Sequence, residues 1–561
     1  MTVLSSNMII GIVCEERQKP SVVEFFELFK VPWEFYVNGK VYNVVIIAGR
    51  ADIIPAAKLL IVFGSERRPS DVCQMSQMDP DRGGILLECK GYKFPVYLKT
   101  ALFDSSLKPV MKTLESAGVV GVEYGIGEQR LIRTGYDLFD EVEYLLTQGQ
   151  PVEHAALPTL EVHINVLREW ITGSGFVLVE IPSVPSGYGF IACLTHDVDF
   201  INIRDHQLLD RPVLGFVARA LFPSNLRDTC SEIVWSRILR NWSALISLPV
   251  VYLGLSRDIW FDIDRYMDLE RGLASTFYFI PLKGHAGESR DRANPHWRAA
   301  SYDVKEYRAL VNELKRARAE IGVHGIDAWQ DTDLGVREGA ILQSLCGEES
   351  IGIRMHWLYF SRESPRMLEE AGFDYDSSIG YNEANGFRSG TTQVYCLPGS
   401  SKLLELPLNV MDTALFYSGR MGLSELEAME QLKKLINTLR SYGGVLTINW
   451  HTRSLSPERN WDSFYLELLD LLRMERVWFA TARAAVEWFR KRRQVRFENV
   501  EVTSCGVKVK LRSTIAPDSP GFTLRVHRPA EVGETRGDRR VVNGSWIDVP
   551  VTDEQDIEVS F

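Results

Sequence analysis

The sequence predicts an α/β protein built around a large central domain of repeated strand–helix units. Three observations carry that reading. Apolar strand-like runs alternate with helix-patterned segments between residues 190 and 495. The chain has 561 residues, too many for one compact core, so two to four domains are expected. The texture also changes on either side of the central segment. Some 300 residues of such repeats fit either a barrel or a large open sheet.

Taken in order, residues 1–150 read as an N-terminal α/β domain of unknown role. Residues 8–13, 44–47, 59–63 and 118–122 are short apolar runs, residues 21–29 have helical spacing, and the alternation suggests a parallel sheet. No phosphate loop is present, because Gly83-Gly84 falls in a turn after Asp81-Arg82 and not in a GxGxxG context. Residues 151–189 connect: 161–171 is helical, and Pro182-Ser-Val-Pro-Ser-Gly-Tyr-Gly189 marks a boundary. In the central domain, 190–495, the strands are 191–194, 275–280, 320–323 and 445–448. Helices are expected over 304–319, 331–346 and 424–442. A basic helix over 484–493 closes it and reads as a solvated helix end. From 496 to 561 the pattern alternates with period two over 500–503, 506–511, 522–526 and 557–561, as in a small antiparallel β-sandwich.

The composition is that of an ordinary globular protein: 45% hydrophobic, 24% charged and 11% aromatic. With 63 Lys and Arg against 74 Asp and Glu, the formal charge is −11, which argues against nucleic-acid binding. Eight cysteines are scattered without a CxxC pair and read as buried free thiols, not as a disulfide scaffold or zinc finger. Glu15, Glu16 and Arg17 follow the apolar run 8–13 at once, so no secretory leader is read and a soluble cytoplasmic protein is expected. The longest apolar stretch, 242–255, contains Pro249 and is too short to span a bilayer; a buried helix or surface-active segment is expected there.

The chemistry gathers at strand ends. Leu194-Thr-His-Asp197-Val-Asp199-Phe follows an apolar strand, and period-two geometry points Asp197 and Asp199 the same way. Two such carboxylates are held together by a cation or a shared proton; one can ligate a metal while the other acts as a base, and the bland alternative is a pair capping a turn. His324 ends the Glu320-Ile-Gly-Val strand, Arg354 and His356 share a face, Asp376 precedes Ser-Ser, and His451 ends Leu446-Thr-Ile-Asn-Trp. Two or three N and O donors with an open position form the pattern of a catalytic zinc site, although a lone histidine is more often structural.

This ordered set resembles the polysaccharide deacetylase family, the NodB-homology or carbohydrate esterase family four domain, over about residues 190–490. Thr195-His-Asp197-Val-Asp199 looks like the Asp-x-Asp form of its first motif. His324 looks like the first histidine of its His-Ser/Thr-x-x-His motif. Arg354-Met-His356-Trp357 is similar to Arg-x-Pro-Tyr, Asp376-Ser-Ser to the Asp-Ser segment, and Asn449-Trp-His451 to Leu-x-His. Trp260-Phe-Asp262 and Ser275-Thr-Phe-Tyr-Phe also resemble a branch of the family with an extra N-terminal domain. The resemblance implies a distorted (β/α) barrel of about seven strands. It implies one divalent cation, zinc, and an N-acetylated carbohydrate substrate hydrolysed at its acetamide. Asp197 is then the base, His451 the acid, Arg354 the group that keeps Asp197 ionised, and Asp376 the group that orients His451.

Two departures stand out. The second motif's later histidine falls on Ala328, and His356 stands where the third motif has proline. His356 is therefore expected to replace the missing ligand and complete the set Asp199, His324 and His356, with Asp327 and His285 as weaker substitutes. If nothing replaces it, the domain is a non-catalytic carbohydrate-binding relative. A third reading is an amide or imide hydrolase acting on a small molecule. His196 is expected to be structural, and the flanking regions to contribute no catalytic group.

Overall fold

The structure, a computed structural model, describes residues 6–50, 53–80, 83–104, 107–221, 231–288, 295–503, 506–513, 519–529, 546–551 and 555–560. Asp81 and Arg82, and two of the eight cysteines, Cys230 and Cys505, lie outside them. The chain divides into two compact units: Met1–Ser186 with Ser389–Thr391 and Glu487–Phe561, and Gly187–Arg388 with Thr392–Val486. The N-terminal region, the connecting segment and the tail thus fall into one unit, where the sequence suggests separate domains.

In that first unit a nine-stranded sheet runs in the order Trp33–Phe35, Ile10–Val13, Tyr42–Ile47, Ala57–Val62, Gln129–Thr134, Val119–Ile126, Lys108–Thr113, Ile85–Cys89, Tyr92–Val96. The first five strands are mutually parallel, as expected, and the rest are antiparallel. The expectation of a parallel sheet therefore holds for half of it. The other half is set by tight turns: Lys90 and Gly91 both have positive φ, the two-residue geometry that folds a strand straight back on its neighbour.

The tail is antiparallel β, as expected, and its strands fall in two sheets. Arg496–Thr503, Gly506–Arg512 and Gln555–Ser560 form an antiparallel sheet with Ser6–Asn7, while Phe522–His527 and Trp546–Val551 form another with Leu178–Glu180. Both sheets borrow a strand from far along the chain. The basic helix end is not simply solvated either. The buried Arg492 guanidinium donates to the carbonyls of Glu27 at 2.9 Å, Leu28 at 3.1 Å and Ile181 at 2.6 Å. Glu27 and Leu28 belong to the last turn of the Lys19–Phe29 helix, where carbonyls lack helical partners.

The second unit is a curled parallel sheet. Its strands run in the order Tyr395–Cys396, Leu404–Glu405, Tyr375–Asp376, Ile353–Met355, Glu320–Gly325, Ser275–Phe279, Phe190–Val198, Val445–Asn449, Val410–Met411, with Val477–Phe479 also pairing Phe190–Val198; only Tyr395–Cys396 is antiparallel. The short pieces Leu404–Glu405 and Val410–Met411 belong to one stretch. Leu406 and Leu408 donate to the carbonyls of Asp376 and Ile379 at 2.8 and 3.0 Å, and Asn409 donates to Thr447 at 3.1 Å. Residues 404–411 thus draw the two edges together and make the seventh stave of the expected distorted barrel. All nine residues of Phe190–Val198 are buried, as a strand covered on both faces must be. Between the first and second staves the chain inserts the helices Arg211–Leu221, Ser231–Tyr252 and Ile263–Leu269. The apolar stretch at 242–255 lies largely in the second of these, half buried. Among the described residues no helix is long and apolar enough to cross a membrane.

The barrel interior is filled by aromatic rings that stand where glycines leave room. A Cβ on Gly322 would lie 2.4 Å from the Tyr278 ring, and one on Gly352 would lie 2.1 Å from the Tyr375 ring. The two hydroxyls meet at 3.0 Å, and Tyr375 donates to Glu320 at 2.7 Å. The Arg354 guanidinium lies 4.5 Å from the centre of the Tyr278 ring, so this layer is the floor of the site. Gly352→Ala should therefore lower unfolding stability by about 1–3 kcal/mol through overpacking. Denaturant melts check this; an unchanged midpoint would show that the Tyr375 ring moves aside freely.

Candidate active site

The strand ends place Asp199, His324 and His356 together, with one donor atom from each within 4.8 Å of the others. Asp199 Oδ1 lies 3.3 Å from His324 Nε2 and 3.6 Å from His356 Nε2. Parallel pairing sets His324 beside Arg354, and the His324 ring nitrogen Nδ1 sits 2.9 Å from the Arg354 carbonyl. That bond fixes the tautomer and leaves Nε2 facing Asp199. After His356 the chain turns sharply. Trp357 and Leu358 take φ of 63° and 55°, strained for bulky residues, and Asn382 holds the turn with a 3.0 Å bond to the Trp357 carbonyl.

This donor set fits a divalent cation. Asp199 Oδ1 is buried without a hydrogen-bond partner, an orphaned acceptor aimed at two imidazoles. Burial pushes His356 down to about 3, so its ring is neutral and keeps a lone pair. Two imidazole nitrogens and a carboxylate oxygen suit a zinc-class ion with open positions. Ala328 is buried and brings no donor. The weaker substitutes turn to each other, with His285 Nε2 2.9 Å from Asp327 Oδ2.

Asp197, on the same strand, is buried beside this group. Arg354 donates to its Oδ1 at 2.9 Å and Asn449 to its Oδ2 at 2.7 Å. Burial alone would raise this carboxyl, but the neighbouring His324, Arg354 and His451 outweigh it and hold it below the usual range. Arg354 is itself held by Thr195 Oγ1 at 2.8 Å and by Ser377 through its Oγ at 2.9 Å and its carbonyl at 3.1 Å.

His451 reaches the opposite oxygen of Asp199, with Nε2 3.9 Å from Oδ2. Its orienting partner differs from the expected one. Asp412 lies 2.6 Å from His451 Nδ1 and also accepts the His451 backbone N–H at 2.7 Å and the Ser454 hydroxyl. Asp376 instead accepts from Ser378 and lies against Glu405 within the barrel wall, where burial drives both carboxyls upward. Sequence reasoning missed Asp412, although it follows the strand piece Val410–Met411 just as Asp199 and His451 follow theirs. Burial lowers His451, but Asp412 more than compensates, so its ring stays protonated to higher pH than a free imidazole. His196 is structural, as expected: buried, 2.9 Å from Glu270 and packed on Tyr266 and Phe277.

No protein-family model matches this chain, and no curated protein matches it. Solved structures give distant likenesses. A Mycobacterium smegmatis protein assigned as a polysaccharide deacetylase is 19% identical over 55% of this chain and 94% of its own, with a TM-score of 0.34. Puue allantoinase is 18% identical over 55% of this chain and 92% of its own, with a TM-score of 0.33. Agd3, described as a novel carbohydrate deacetylase, is 9% identical over 99% of this chain and 100% of its own, with a TM-score of 0.38. Likenesses this distant settle no chemistry, which rests on the site itself.

Proposed function

We propose that this chain is a metal-dependent hydrolase acting on non-peptide C–N bonds, which removes an N-acetyl group from an amino sugar of a glycan or glycan precursor. One observation carries the proposal: a His–His–Asp donor set is flanked by an arginine-held carboxylate on one side and a carboxylate-held imidazole on the other. The ordered motifs of the sequence support the N-acetyl sugar. His356 supplies the donor that Ala328 lacks, which weighs against the non-catalytic reading.

Asp199, His324 and His356 would hold the cation, which supplies Lewis acidity toward a carbonyl oxygen and toward water. Asp197, kept ionised by Arg354, takes the proton of the attacking water as its oxygen bonds to the acetamide carbon. His451 as imidazolium gives its Nε2 proton to the departing amine nitrogen as the C–N bond breaks. The products are acetate and a free amine. Asp412 keeps the Nδ1 proton in place and stabilises the cationic ring. The Asp199 side chain is 22% exposed, and the His451 side chain 14%, so substrate enters past them.

His324→Ala and His356→Ala should each lower bound metal by about tenfold or more, while Asp327→Ala keeps it. Elemental analysis of purified protein checks this; full metal in His356→Ala would remove His356 from the ligand set.

The pH profile tests the acid. Because Asp412 raises His451, the protonated ring persists past the usual imidazole range, and kcat/KM should fall only as pH rises through that raised value. Asp412→Asn should lower kcat by about a hundredfold or more and move the basic limb to lower pH. An unmoved basic limb would mean that another group donates the proton.

A further inference from the structure

We infer that the helical hairpin inserted between the first and second barrel staves docks on an anionic lipid bilayer. Its long helix, Ser231–Tyr252, carries two apolar stripes. Ala244, Leu248 and Val251 face inward and are buried with Phe216 and Trp260. At 100° per residue, Trp235, Leu239, Trp242, Ile246, Val250 and Leu253 fall on the opposite side of the cylinder, spaced three and four apart, and all are exposed. Ile246 is 76% exposed and Leu253 72%. From Trp235 to Leu253 the other exposed residues on this face are serines and Pro249, with no charged side chain among them. Leu214 and Leu221 extend the face onto the neighbouring helix. Eleven of the 25 exposed large hydrophobic residues among the described ones lie between 208 and 255, far more than a scattered surface would place there.

The charge around this face favours lipid over a second copy. Residues 207–257 hold six arginines (Arg211, Arg219, Arg227, Arg237, Arg240 and Arg257) against the three acids Asp210, Asp228 and Glu232, a net positive segment in a chain whose net charge is −11. Arg237, Arg240 and Arg257 pair with Glu425, Asp462 and Asp264, while Arg211 is exposed and lies 3.4 Å from the centre of the Trp297 ring. An apolar face bearing two tryptophans, in a segment of net positive charge, is the composition of an interfacial helix that sinks to the headgroup boundary without spanning. A second copy would bring two net positive segments together.

The hairpin also stands at the open end of the barrel. Arg240 donates to the Leu455 carbonyl at 2.8 Å, and Arg453, just past His451, lies 3.8 Å from the Trp260 ring centre. A bilayer under this face would offer its N-acetylated headgroups to the same end of the barrel. That substrate assignment, unlike the docking, rests on the deacetylase reading.

The test is sedimentation of the full chain with sucrose-loaded vesicles of phosphatidylcholine mixed with phosphatidylglycerol, and of phosphatidylcholine alone. Wild type should bind the mixed vesicles more strongly, with a blue shift of tryptophan emission. Ile246→Glu/Leu253→Glu should bind about tenfold or more weakly at unchanged circular dichroism and metal content. Met474→Glu, at an exposed methionine outside the hairpin, should bind as wild type. Wild type left in the supernatant, equal binding by the double variant, or a dimer in solution that the double variant dissociates would each overturn the proposal. Turnover is read separately, on a soluble N-acetyl sugar and on a vesicle-anchored one. No turnover on either, with vesicle binding intact, refutes the deacetylase reading and leaves the docking standing.

Discussion

The buried guanidinium of Arg354 is the interaction on which the site depends. A cation taken from water into the barrel must be met by an anion and by acceptors for its remaining protons, and each of its contacts places a functional group. Asp197 supplies the charge, Thr195 and Ser377 supply acceptors, and the Tyr278 ring lies beneath. Its backbone carbonyl fixes the tautomer of His324, and the same strand delivers His356 two residues later. One side chain and its peptide thus position the proposed base and two proposed metal donors.

Around that cation the protein separates the protonation states of like groups by environment alone. Asp197 and Asp199 are both held ionised, the first by His324 and Arg354, the second by His324 and His451. His356, buried without a partner on Nδ1, is neutral, whereas His451 on Asp412 is drawn toward the cation. Hydrolysis of an amide requires such a division, with an ionised base and a protonated acid on one substrate. Asp376 and Glu405, equally buried but lacking a cation this close, titrate upward and belong to the wall.

Much of the site was legible in the sequence, because strand ends carry the chemistry and a strand end can be read from an apolar run that stops at a polar residue. Asp197, Asp199, His324, His356 and His451 all follow that pattern. Asp412 follows it too, but its strand piece is only two residues long and sits in the irregular stretch after Asp376, where periodicity is silent. Motif order then pointed to Asp376, a neighbour in sequence that the sheet directs elsewhere. The mixed N-terminal sheet was half legible, since apolar runs show strands but not their direction, which two-residue turns such as Lys90-Gly91 decide. The tail's texture was read correctly as β, but its pairing with Ser6–Asn7 and Leu178–Glu180 spans hundreds of residues and leaves no local signal.

The central claim is that Asp199, His324 and His356 hold one catalytic cation. Anomalous diffraction at the zinc absorption edge from crystals of protein purified with its metal tests it most directly. The account expects one peak per chain, about 2.0–2.2 Å from Asp199 Oδ1 and from the Nε2 atoms of His324 and His356. A peak coordinated by other residues, or a metal-loaded protein in which His356 stands away from the ion, would contradict it.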